Sequence, residues 1–494
     1  MHSHYIKCWV TYNLSFYIRN IFQNLLLYTI IKCKLPHPFS RSTIECSAVN
    51  YLKTNKFYAT KSNHAAKNIV YIDGVRTPFL QSGTSYKNLM AYDLARQSLV
   101  ALQNKIKFPK EIVEYIVYGT VMQEIKTSNI AREAALAAGY SDHTPAHTVT
   151  MACISSNQAL TTGMGLIACG VYEVIVAGGV EFMSDIPIRH NRSMRSLMLQ
   201  ANKAKSIGQK LQLLTSIRPS YFVPDLPAVT EFSSNETMGG SSDRLAAAFG
   251  ISRKEQDEYA LRSHTLAAKA QQQGYLTDVV PYKVPNVSEV VNKDNGIRVS
   301  TPEQLAKLKP AFVKPYGGVT AANASFLTDG ASAALIMTEE KALQLGLTPK
   351  AYLRNFTYVS QDPVDQLLLG PSYVIPQVIL YYSKLNVKDV GVWEIHEAFA
   401  GQILANLKAL DSDWFAQNYL GRSSKVGVPD LNKWNAWGGS LSIGHPFAAT
   451  GIRLATHTAN RLIKEDQQFG LIAACAAGGQ GVGMIMERYP GAKV

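Results

Sequence analysis

The sequence predicts an α/β protein built from two similar halves, each with a mixed sheet covered by helices. Short apolar runs typical of buried strands alternate with helical segments over most of the chain. A helix, a strand and a Gly-Gly pair follow one another at residues 155–179, and the same order returns at residues 450–479. A chance similarity between these two stretches is the alternative, because such units are common. The length of 494 residues is enough for two or three domains.

Composition narrows the class of protein. Six cysteines are present, and only Cys153, Cys169 and Cys475 lie in the body of the chain. Their spacing contains no CxxC, which argues against a disulfide framework and a zinc site and favours a reducing compartment. The formal net charge is +13, but residues 1–67 hold nine Lys or Arg and one acid, so they supply +8 of it. The body is only mildly basic, and nucleic acid is not an expected partner.

The N-terminal segment, residues 1–67, has the composition of a mitochondrial transit peptide. It is basic, almost free of acids, and rich in Ser, Asn and Tyr. Arg19, Asn20 and Gln23 precede its apolar patch at residues 25–31, so no apolar run is long enough to span a membrane. A signal anchor or a mispredicted start is the alternative interpretation.

The first half is expected to cover residues 68–338 and the second half residues 339–494. In the first half the pattern predicts strands from residue 68 and at 114–121, 147–152, 172–181 and 331–337, with helices at 92–102, 130–138 and 155–169. In the second half it predicts strands at 392–395 and 470–475, with helices at 398–410 and 450–464. The glycines after the last strand let backbone N–H groups approach a ligand closely.

A long insertion, residues 184–310, separates the elements of the first half. Residues 186–222 carry seven Lys or Arg and no acid, and on a helical projection the apolar residues fall on one side of the helix. A basic amphipathic helix binds anionic membrane surfaces or an acidic partner, and a solvated lid over the active site is the alternative. The residues proposed to contact a membrane are Arg189, Arg192, Arg195, Met194, Leu197 and Met198. The following helix, 253–273, is interpreted as structural.

Cys153 stands where a strand gives way to a helix of small and polar residues. The positive end of a helix dipole and free N–H groups favour the thiolate, so the position predicts a reactive cysteine. A buried structural cysteine is the alternative, because free cysteine is among the most buried residue types.

Four residues together indicate carbon-carbon bond chemistry beside a thioester: Cys153, His396, His445 and Cys475. Such a reaction needs a nucleophile that holds an acyl group and a base that activates it. It also needs an acid/base for the α-carbon and donors for two separate oxyanions. The chain offers one candidate for each of these roles.

The stretches GGSLSIGHPFAATG and CAAGGQG, with the cysteine at residue 153, resemble the thiolase family over nearly the whole chain after the leader. The resemblance implies two βαβαβαββ-type halves in a five-layered α/β/α/β/α body with an inserted loop domain. It implies that Cys153 forms the acyl thioester, that His445 takes its proton, and that Cys475 is the acid/base at the α-carbon. No metal or bound cofactor is implied, and CoA is the co-substrate.

Two positions depart from the usual family pattern. His396 stands where most thiolases have an asparagine that helps form an oxyanion hole, and Ala477 stands where many have glycine. The resemblance implies that the backbone N–H groups of Ala477 and Cys153 form the second oxyanion hole. Ser325 matches a CoA-contacting serine of the family, while a polar turn before the next strand is the alternative for residues 323–330.

The histidine at residue 396 and the basic insertion resemble the mitochondrial long-chain subtype of the family. This subtype implies 3-ketoacyl-CoA as substrate and a homodimeric thiolase core. It also implies a partner α-subunit with hydratase and dehydrogenase activities and a place on the matrix side of the inner membrane, whose characteristic anionic lipid is cardiolipin.

Three rival functions remain open at this point. A decarboxylating ketoacyl synthase uses one cysteine and two histidines, but it has no need of Cys475 for an α-proton. A short-chain acetoacetyl-CoA thiolase would use the same four residues, and the basic insertion favours the long-chain form over it. A non-catalytic CoA-binding or membrane scaffold has no need of an intact set of four.

Overall fold

The computed structural model describes residues 67–228, 230–381 and 385–493. The predicted transit peptide therefore falls almost wholly outside the described residues. The predicted boundary between the halves at residues 338 and 339 stays a prediction.

The described residues contain ten strands and fourteen helices. The strands are β1 (Ile69–Arg76), β2 (Leu80–Gln81), β3 (Tyr115–Gly119), β4 (Ala146–Val149), β5 (Val174–Glu181), β6 (Thr328–Thr338), β7 (Ala351–Ser360), β8 (Val390–Ile395), β9 (Phe469–Ala476) and β10 (Gln480–Arg488). The helices are α1 (Ala91–Ile106), α2 (Ile130–Ala137), α3 (Ser155–Ala168), α4 (Arg192–Lys203), α5 (Ile207–Thr215), α6 (Met238–Ala248), α7 (Arg253–Gln272), α8 (Pro302–Ala306), α9 (Glu339–Gln344), α10 (Gly370–Tyr381), α11 (Ala400–Leu410), α12 (Asp413–Tyr419), α13 (Ser440–Ile443) and α14 (Thr450–Lys464).

The sheet repeats one topology twice, which confirms the prediction of two similar α/β halves. Its strand order is β4-β3-β5-β6-β1-β7-β10-β9-β8, with the short β2 beside β6. In the first half β1 pairs antiparallel with β6, β6 antiparallel with β5, and β5 parallel with β3. In the second half β7, β10, β9 and β8 pair in the same three ways. The first half adds β4 at the outer edge, parallel to β3.

Three apolar cores fix the order of the layers. One core joins α1 and α2 to one face of the first half-sheet, and another joins α10 and α11 to one face of the second. The third contains α3 and α14 together with strands of both halves, so these two helices form the central layer. The result is the expected five-layered arrangement of helices and strands. Both strands that lead to the glycine pairs, β5 and β9, are almost wholly buried, as their apolar sequences predict.

Most predicted elements are present with ends shifted by a few residues. The prediction did not include β7, α10 and β10. Most residues of β7 are only partly buried, α10 contains Pro376, and glycines interrupt β10, so each pattern is weaker than a plain strand or helix signal.

The single basic helix expected within residues 186–222 is wrong. The chain leaves the first helix, α4, at Ala204, whose backbone is extended, and begins α5 after Ser206. The hydroxyl of Ser206 accepts the backbone N–H of Gln209, and the Gln209 side chain accepts the N–H of Ser206. This capping box starts a new helix, so the apolar residues of α4 and α5 do not form one continuous stripe.

Candidate active site

Cys153 lies at the tip of a tight turn between β4 and α3. Ala152, just before it, has the left-handed backbone angle φ of 46°, which costs energy for a residue with a side chain. The hydroxyl of Ser155 holds this turn: it donates to the Ala152 carbonyl at 2.7 Å and accepts the N–H of Met151 at 2.8 Å. The Cys153 residue as a whole is half-buried, while its thiol lies in desolvating surroundings.

His445 follows a second sharp turn, between α13 and α14. Gly444 has a φ of 111°, a conformation that L side chains rarely adopt, which explains the glycine before the histidine. The backbone N–H of His445 donates to the hydroxyl of Thr328 at 3.0 Å, and its Nδ1 lies 2.6 Å from the hydroxyl of Thr450. Its Nε2 is buried and has no hydrogen-bond partner among the described residues.

His396 directly follows β8 and is fully buried. Its backbone N–H continues the pairing with β9 by donating to the carbonyl of Ala473 at 2.9 Å. Its Nδ1 lies 3.0 Å from the hydroxyl of Ser440, and its Nε2 also lacks a partner within the described part of the chain. The ring centroids of His396 and His445 are 4.0 Å apart.

The sulfur of Cys153 and one ring nitrogen from each histidine all lie within 4.8 Å of one another. The structure therefore brings together three of the four residues singled out in the sequence. Nitrogen and sulfur ligands at this spacing suit a soft ion such as Zn²⁺. The expectation that the protein needs no metal stays a prediction.

Cys475 lies near the end of β9 and is buried. The turn that follows it, Gly478-Gly479, has positive φ at both residues, and Gly478 donates its N–H to Glu231 of the insertion at 3.1 Å. Burial raises the pKa of Cys475 far above that of a free thiol, and the charge of the nearby Cys153 thiolate raises it further. Cys475 is therefore close enough to Cys153 for their charges to interact, although it is not one of the three residues grouped within 4.8 Å.

The helix start at Cys153 favours the thiolate, as the sequence indicated, but burial outweighs this effect in the free protein. Burial raises the pKa of Cys153 to about 12, although the backbone N–H groups of Ala477 and of Cys153 bond the sulfur and lower the pKa. The charge of Glu181 adds to the rise. Desolvation of a thiolate outweighs two N–H groups and a short helix, so the thiol keeps its proton near pH 7.

Both histidines are neutral near pH 7. Burial and, as a smaller cause, the positive charge of Arg453 together lower the pKa of His396 to about 3. Burial lowers the pKa of His445 well below its usual value, and the positive charge of Arg453 adds to the effect. The site therefore contains two neutral imidazoles and two neutral thiols, which can exchange protons without a permanent charge.

Two buried carboxylates support the site and were not singled out in the sequence. Glu397 accepts hydrogen bonds from Tyr259, Ser263, Asn435 and the backbone of Leu441, and it thereby fixes the loop after His396. Glu181, at the end of β5, accepts the backbone N–H groups of Met122 and Ala448, and burial raises its pKa to about 7. An acidic residue in an otherwise apolar strand, as in VIVAGGVE, was the available signal.

Ser325 lies in the loop before β6. Its backbone N–H donates to the carbonyl of Ala398 at 2.9 Å, so the loop packs against the segment that follows His396. Ser325 is partly exposed, and its contact with CoA stays a prediction.

The residues predicted to contact a membrane differ in their exposure and in their contacts with the rest of the protein. Met194 is buried against the protein and is not free to insert into a bilayer, and Leu197 is half-buried. Arg195 pairs with Asp225 at 2.9 Å, and Arg189 forms a backbone bridge with the same residue. Only Arg192 and Met198 of these candidates are both exposed and free of such contacts.

Seven large apolar side chains are exposed within residues 186–222, and three of them lie on α5. Ile207, Leu211 and Leu214 follow one another at helical spacing and are 79%, 57% and 59% exposed. Lys203, Lys205 and Lys210 beside them are exposed as well. The predicted combination of cations and an apolar stripe therefore exists, but α5 carries the stripe.

Two family models match almost all of the described residues. The model for the N-terminal domain of thiolase matches residues 69–340, and the model for the C-terminal domain of thiolase matches residues 347–488.

Relatives with high identity carry more specific names. The mitochondrial trifunctional enzyme subunit beta of Homo sapiens is 68% identical over 424 residues, which cover 86% of this chain and 89% of that protein. A probable 3-ketoacyl-CoA thiolase of Caenorhabditis elegans is 61% identical over 85% of this chain and 94% of that protein. Among solved structures, human mitochondrial 3-ketoacyl-CoA thiolase in complex with CoA is 29% identical with a TM-score of 0.72, covering 86% of this chain and 98% of that one.

Proposed function

The chain belongs to the thiolase family, and on that premise we propose that it cleaves 3-ketoacyl-CoA with CoA to acetyl-CoA and a shortened acyl-CoA. It is an acyltransferase of mitochondrial fatty acid β-oxidation, as its similarity to the trifunctional enzyme subunit beta supports. The observation that carries the mechanism is the cluster of the Cys153 sulfur and two neutral histidines within 4.8 Å.

In the first step we assign the attack on the substrate to Cys153. His445 Nε2 takes the thiol proton while the sulfur bonds to the C3 carbonyl carbon, so no free thiolate has to exist beforehand. The C3 oxygen becomes an oxyanion, and the backbone N–H groups of Cys153 and Ala477 are its proposed donors. Their bonds to the Cys153 sulfur support this, since they point at the place where the new bond forms.

The second step breaks the bond between C2 and C3. The electron pair moves to the acetyl-CoA fragment, which leaves as an enolate and takes a proton from Cys475. A thiol with a raised pKa is a suitable acid here, because the enolate is a strong base and the thiol stays protonated until it arrives. His396 Nε2 is the proposed donor to the enolate oxygen.

In the third step CoA replaces acetyl-CoA and resolves the acyl enzyme. The CoA thiol gives its proton to the Cys475 thiolate left by the second step, and the CoA sulfur attacks the acyl carbonyl. The bond between the acyl carbon and the Cys153 sulfur breaks, and the sulfur regains the proton that His445 took in the first step. Ser325 is proposed to contact CoA, and its position beside the loop after His396 supports that assignment. The solved mitochondrial 3-ketoacyl-CoA thiolase in complex with CoA supports CoA as a substrate-type ligand.

Thiolysis measured across substrate lengths tests this function. The purified protein is given 3-ketoacyl-CoA from acetoacetyl-CoA to long chains, and acetyl-CoA is quantified with and without CoA. We expect acetyl-CoA from long-chain substrates only when CoA is present. Cleavage of acetoacetyl-CoA alone would favour the short-chain thiolase, and no product from any substrate would refute the assignment.

The name of the close relatives supports a partner and a location. We propose an α-subunit of the trifunctional enzyme as partner, and a place on the matrix side of the inner mitochondrial membrane. A homodimeric thiolase core is proposed as well, and the free outer side of β4 in the described sheet supports it. No helix of the described residues is long and apolar enough to cross a membrane. Contact with a cardiolipin-containing surface is proposed to involve α5, and its exposed Ile207, Leu211 and Leu214 support this.

A further inference from the structure

The two histidines of the site differ in the hydrogen bonds that their Nδ1 atoms make. Near pH 7 each neutral ring carries one proton, and its position decides whether the other nitrogen is a donor or an acceptor. His396 Nδ1 faces Ser440, whereas His445 Nδ1 faces Thr450. The two hydroxyl groups are held by different neighbours.

Ser440 is held by a charged donor. Arg453 donates from a terminal nitrogen to the Ser440 hydroxyl oxygen at 2.8 Å, and a guanidinium has no lone pair to accept in return. The hydroxyl hydrogen must therefore point elsewhere. The other hydrogen-bonding contact of this oxygen among the described residues is His396 Nδ1 at 3.0 Å. If the serine donates to Nδ1, both the Arg453 hydrogen that faces Ser440 and the Ser440 hydroxyl hydrogen have acceptors. The proton on His396 Nε2 then has no partner within the described part of the site, and it is free to donate to a bound substrate oxygen.

The reverse arrangement leaves a buried hydrogen unsatisfied. With its proton on Nδ1, His396 would donate to Ser440, which would then accept two hydrogen bonds while its own hydrogen had no acceptor within the described part of the site. Ser440 and His396 are both fully buried, so water is poorly placed to accept it.

Thr450 has a different second neighbour. Its hydroxyl lies 3.2 Å from the carbonyl oxygen of Pro446, which can only accept. A threonine in a helix commonly donates to the carbonyl four residues earlier. The hydroxyl oxygen then accepts from His445 Nδ1 at 2.6 Å, and Nε2 is left with a lone pair.

We infer that Ser440 and Arg453 hold His396 with its proton on Nε2, while Thr450 holds His445 with its proton on Nδ1. The inference rests on the proposed function, in which His396 is a hydrogen-bond donor and His445 is a base. The two tautomers give each histidine the ring nitrogen that its role requires. With opposite tautomers, one acceptor and one donor are available to the Cys153 thiol. If both rings had the same tautomer, their two Nε2 atoms would either both accept or both donate. In the second case the thiol hydrogen would face two donors. Ser440 and Arg453 are positioning residues, since they act through His396.

Two further observations agree with this arrangement. Glu394 pairs with Arg453 at 3.3 Å and with Arg461 at 2.8 Å, so the charge that polarises Ser440 is balanced and fixed in place. The charge of Arg453 also lowers the pKa of both histidines, after burial, and so keeps each ring in the neutral form on which the tautomers depend.

Nitrogen NMR of the full protein labelled with ¹⁵N-histidine tests the inference directly, because protonated and unprotonated ring nitrogens resonate far apart. The signals are assigned from their loss in His396→Gln and His445→Gln. We expect a protonated Nε2 at His396 and a protonated Nδ1 at His445. A proton on Nδ1 of His396, or on Nε2 of His445, would overturn the inference.

Removal of the serine hydroxyl tests the relay. In Ser440→Ala we expect the His396 nitrogens to move toward a mixture of tautomers and kcat to fall about 10²-fold, the loss typical of one oxyanion donor, with KM little changed. Ser440→Thr keeps a hydroxyl and should restore both. Ser442→Ala removes another buried hydroxyl of α13, which contacts Ser263, and should leave the His396 signals as they are.

These measurements separate the inference from the proposed function. Unchanged His396 signals in Ser440→Ala would overturn the relay even if the enzyme is a thiolase. The expected tautomers in a protein whose His396→Gln variant keeps full activity would support the inference about proton positions and refute the proposed role of His396.

Discussion

The backbone N–H of Ala477 bonds the sulfur of Cys153, across a distance of 324 positions in the sequence. Ala477 follows β9 of the second half, and Cys153 precedes α3 of the first. The contact exists because α3 and α14 pack together between the half-sheets and bring the ends of β4 and β9 to one place. A donor fixed beside the sulfur is also near the carbonyl carbon that the sulfur attacks, which supports its proposed role at the C3 oxyanion.

The first prediction concerns the protonation state of Cys153 in the free protein. Because burial raises its pKa to about 12, the thiolate fraction should increase about tenfold per pH unit through neutral and mildly alkaline pH. We expect the rate of alkylation of Cys153 by iodoacetamide to rise over this range without a plateau. Mass spectrometry of the Cys153 peptide gives the rate, and exposed Cys169 serves as the internal comparison. A plateau near pH 7 would mean that a thiolate-imidazolium pair exists before substrate binds.

The second prediction concerns the nucleophile. Cys153→Ala removes the only atom proposed to carry the acyl group, and a half-buried side chain can lose one sulfur without loss of the fold. We expect no thiolysis and no radiolabelled acyl enzyme, with circular dichroism unchanged. Label that is still bound to the variant after denaturation would place the acyl group on another residue.

The third prediction separates the two cysteines. Cys475→Ser should still accept an acyl group at Cys153 from acyl-CoA, because that half-reaction transfers no α-proton. It should not exchange the α-protons of acetyl-CoA with solvent deuterium, since a serine hydroxyl is a far weaker acid than a thiol. Cys169→Ser, at an exposed position, should do both. Exchange at the normal rate in Cys475→Ser would assign the α-proton to a different base.

The fourth prediction concerns Glu397, whose two carboxylate oxygens each accept two hydrogen bonds. Glu397→Gln changes the volume little but turns one oxygen into an NH₂ group that faces two donors. Because hydrogen bonds to a buried charge are worth about 1.5–3 kcal/mol each, we expect the free energy of unfolding to fall by roughly 3 kcal/mol or more. Denaturant unfolding measures it.

The matched control for this change is Glu340→Gln, at an exposed position of α9. Surface substitutions of this kind change the free energy of unfolding by about 0.5 kcal/mol or less. Equal effects of the two variants would show that the Glu397 network does not stabilise the fold.

Local periodicity was sufficient to predict the alternation of strands and helices, and the resemblance to the thiolases supplied the layers. The glycine motifs drew attention to the four site residues, whose roles stay predictions. The partners of those residues were not predictable in the same way. Ser440 meets His396 and Glu181 meets Ala448 only after the two halves have paired, and no spacing along the chain encodes that contact.

Two errors have particular physical causes. The pKa of Cys153 was expected to fall because the helix start is visible in the sequence, while the desolvation that outweighs it depends on the folded surroundings. A single helix was predicted within residues 186–222 because the spacing of the apolar residues is compatible with one continuous helix. The capping pair Ser206 and Gln209 was present in the sequence and marks the break.

The last prediction concerns membrane docking through α5. Each Lys near an anionic surface contributes about 1 kcal/mol, which salt screens, while burial of exposed Ile207, Leu211 and Leu214 adds a contribution that salt does not remove. Replacing these three residues by Ser should therefore abolish binding to cardiolipin-containing vesicles at high salt. Replacing Lys203, Lys205 and Lys210 by Glu should weaken binding mainly at low salt. Co-sedimentation measures both.

The arginines of α4 make a poorer test, because Arg195→Glu would face Asp225 and disturb the insertion itself. The control replaces three exposed lysines outside the insertion, Lys87, Lys126 and Lys388, by Glu and so changes the net charge equally. A lid remains the competing role for the insertion, since Glu231 bonds Gly478 beside the site. If the α5 variants sediment normally with vesicles but cleave a short, soluble 3-ketoacyl-CoA more slowly, the helix acts as a lid. If binding is lost while the short-substrate rate stays near normal, α5 is the docking surface.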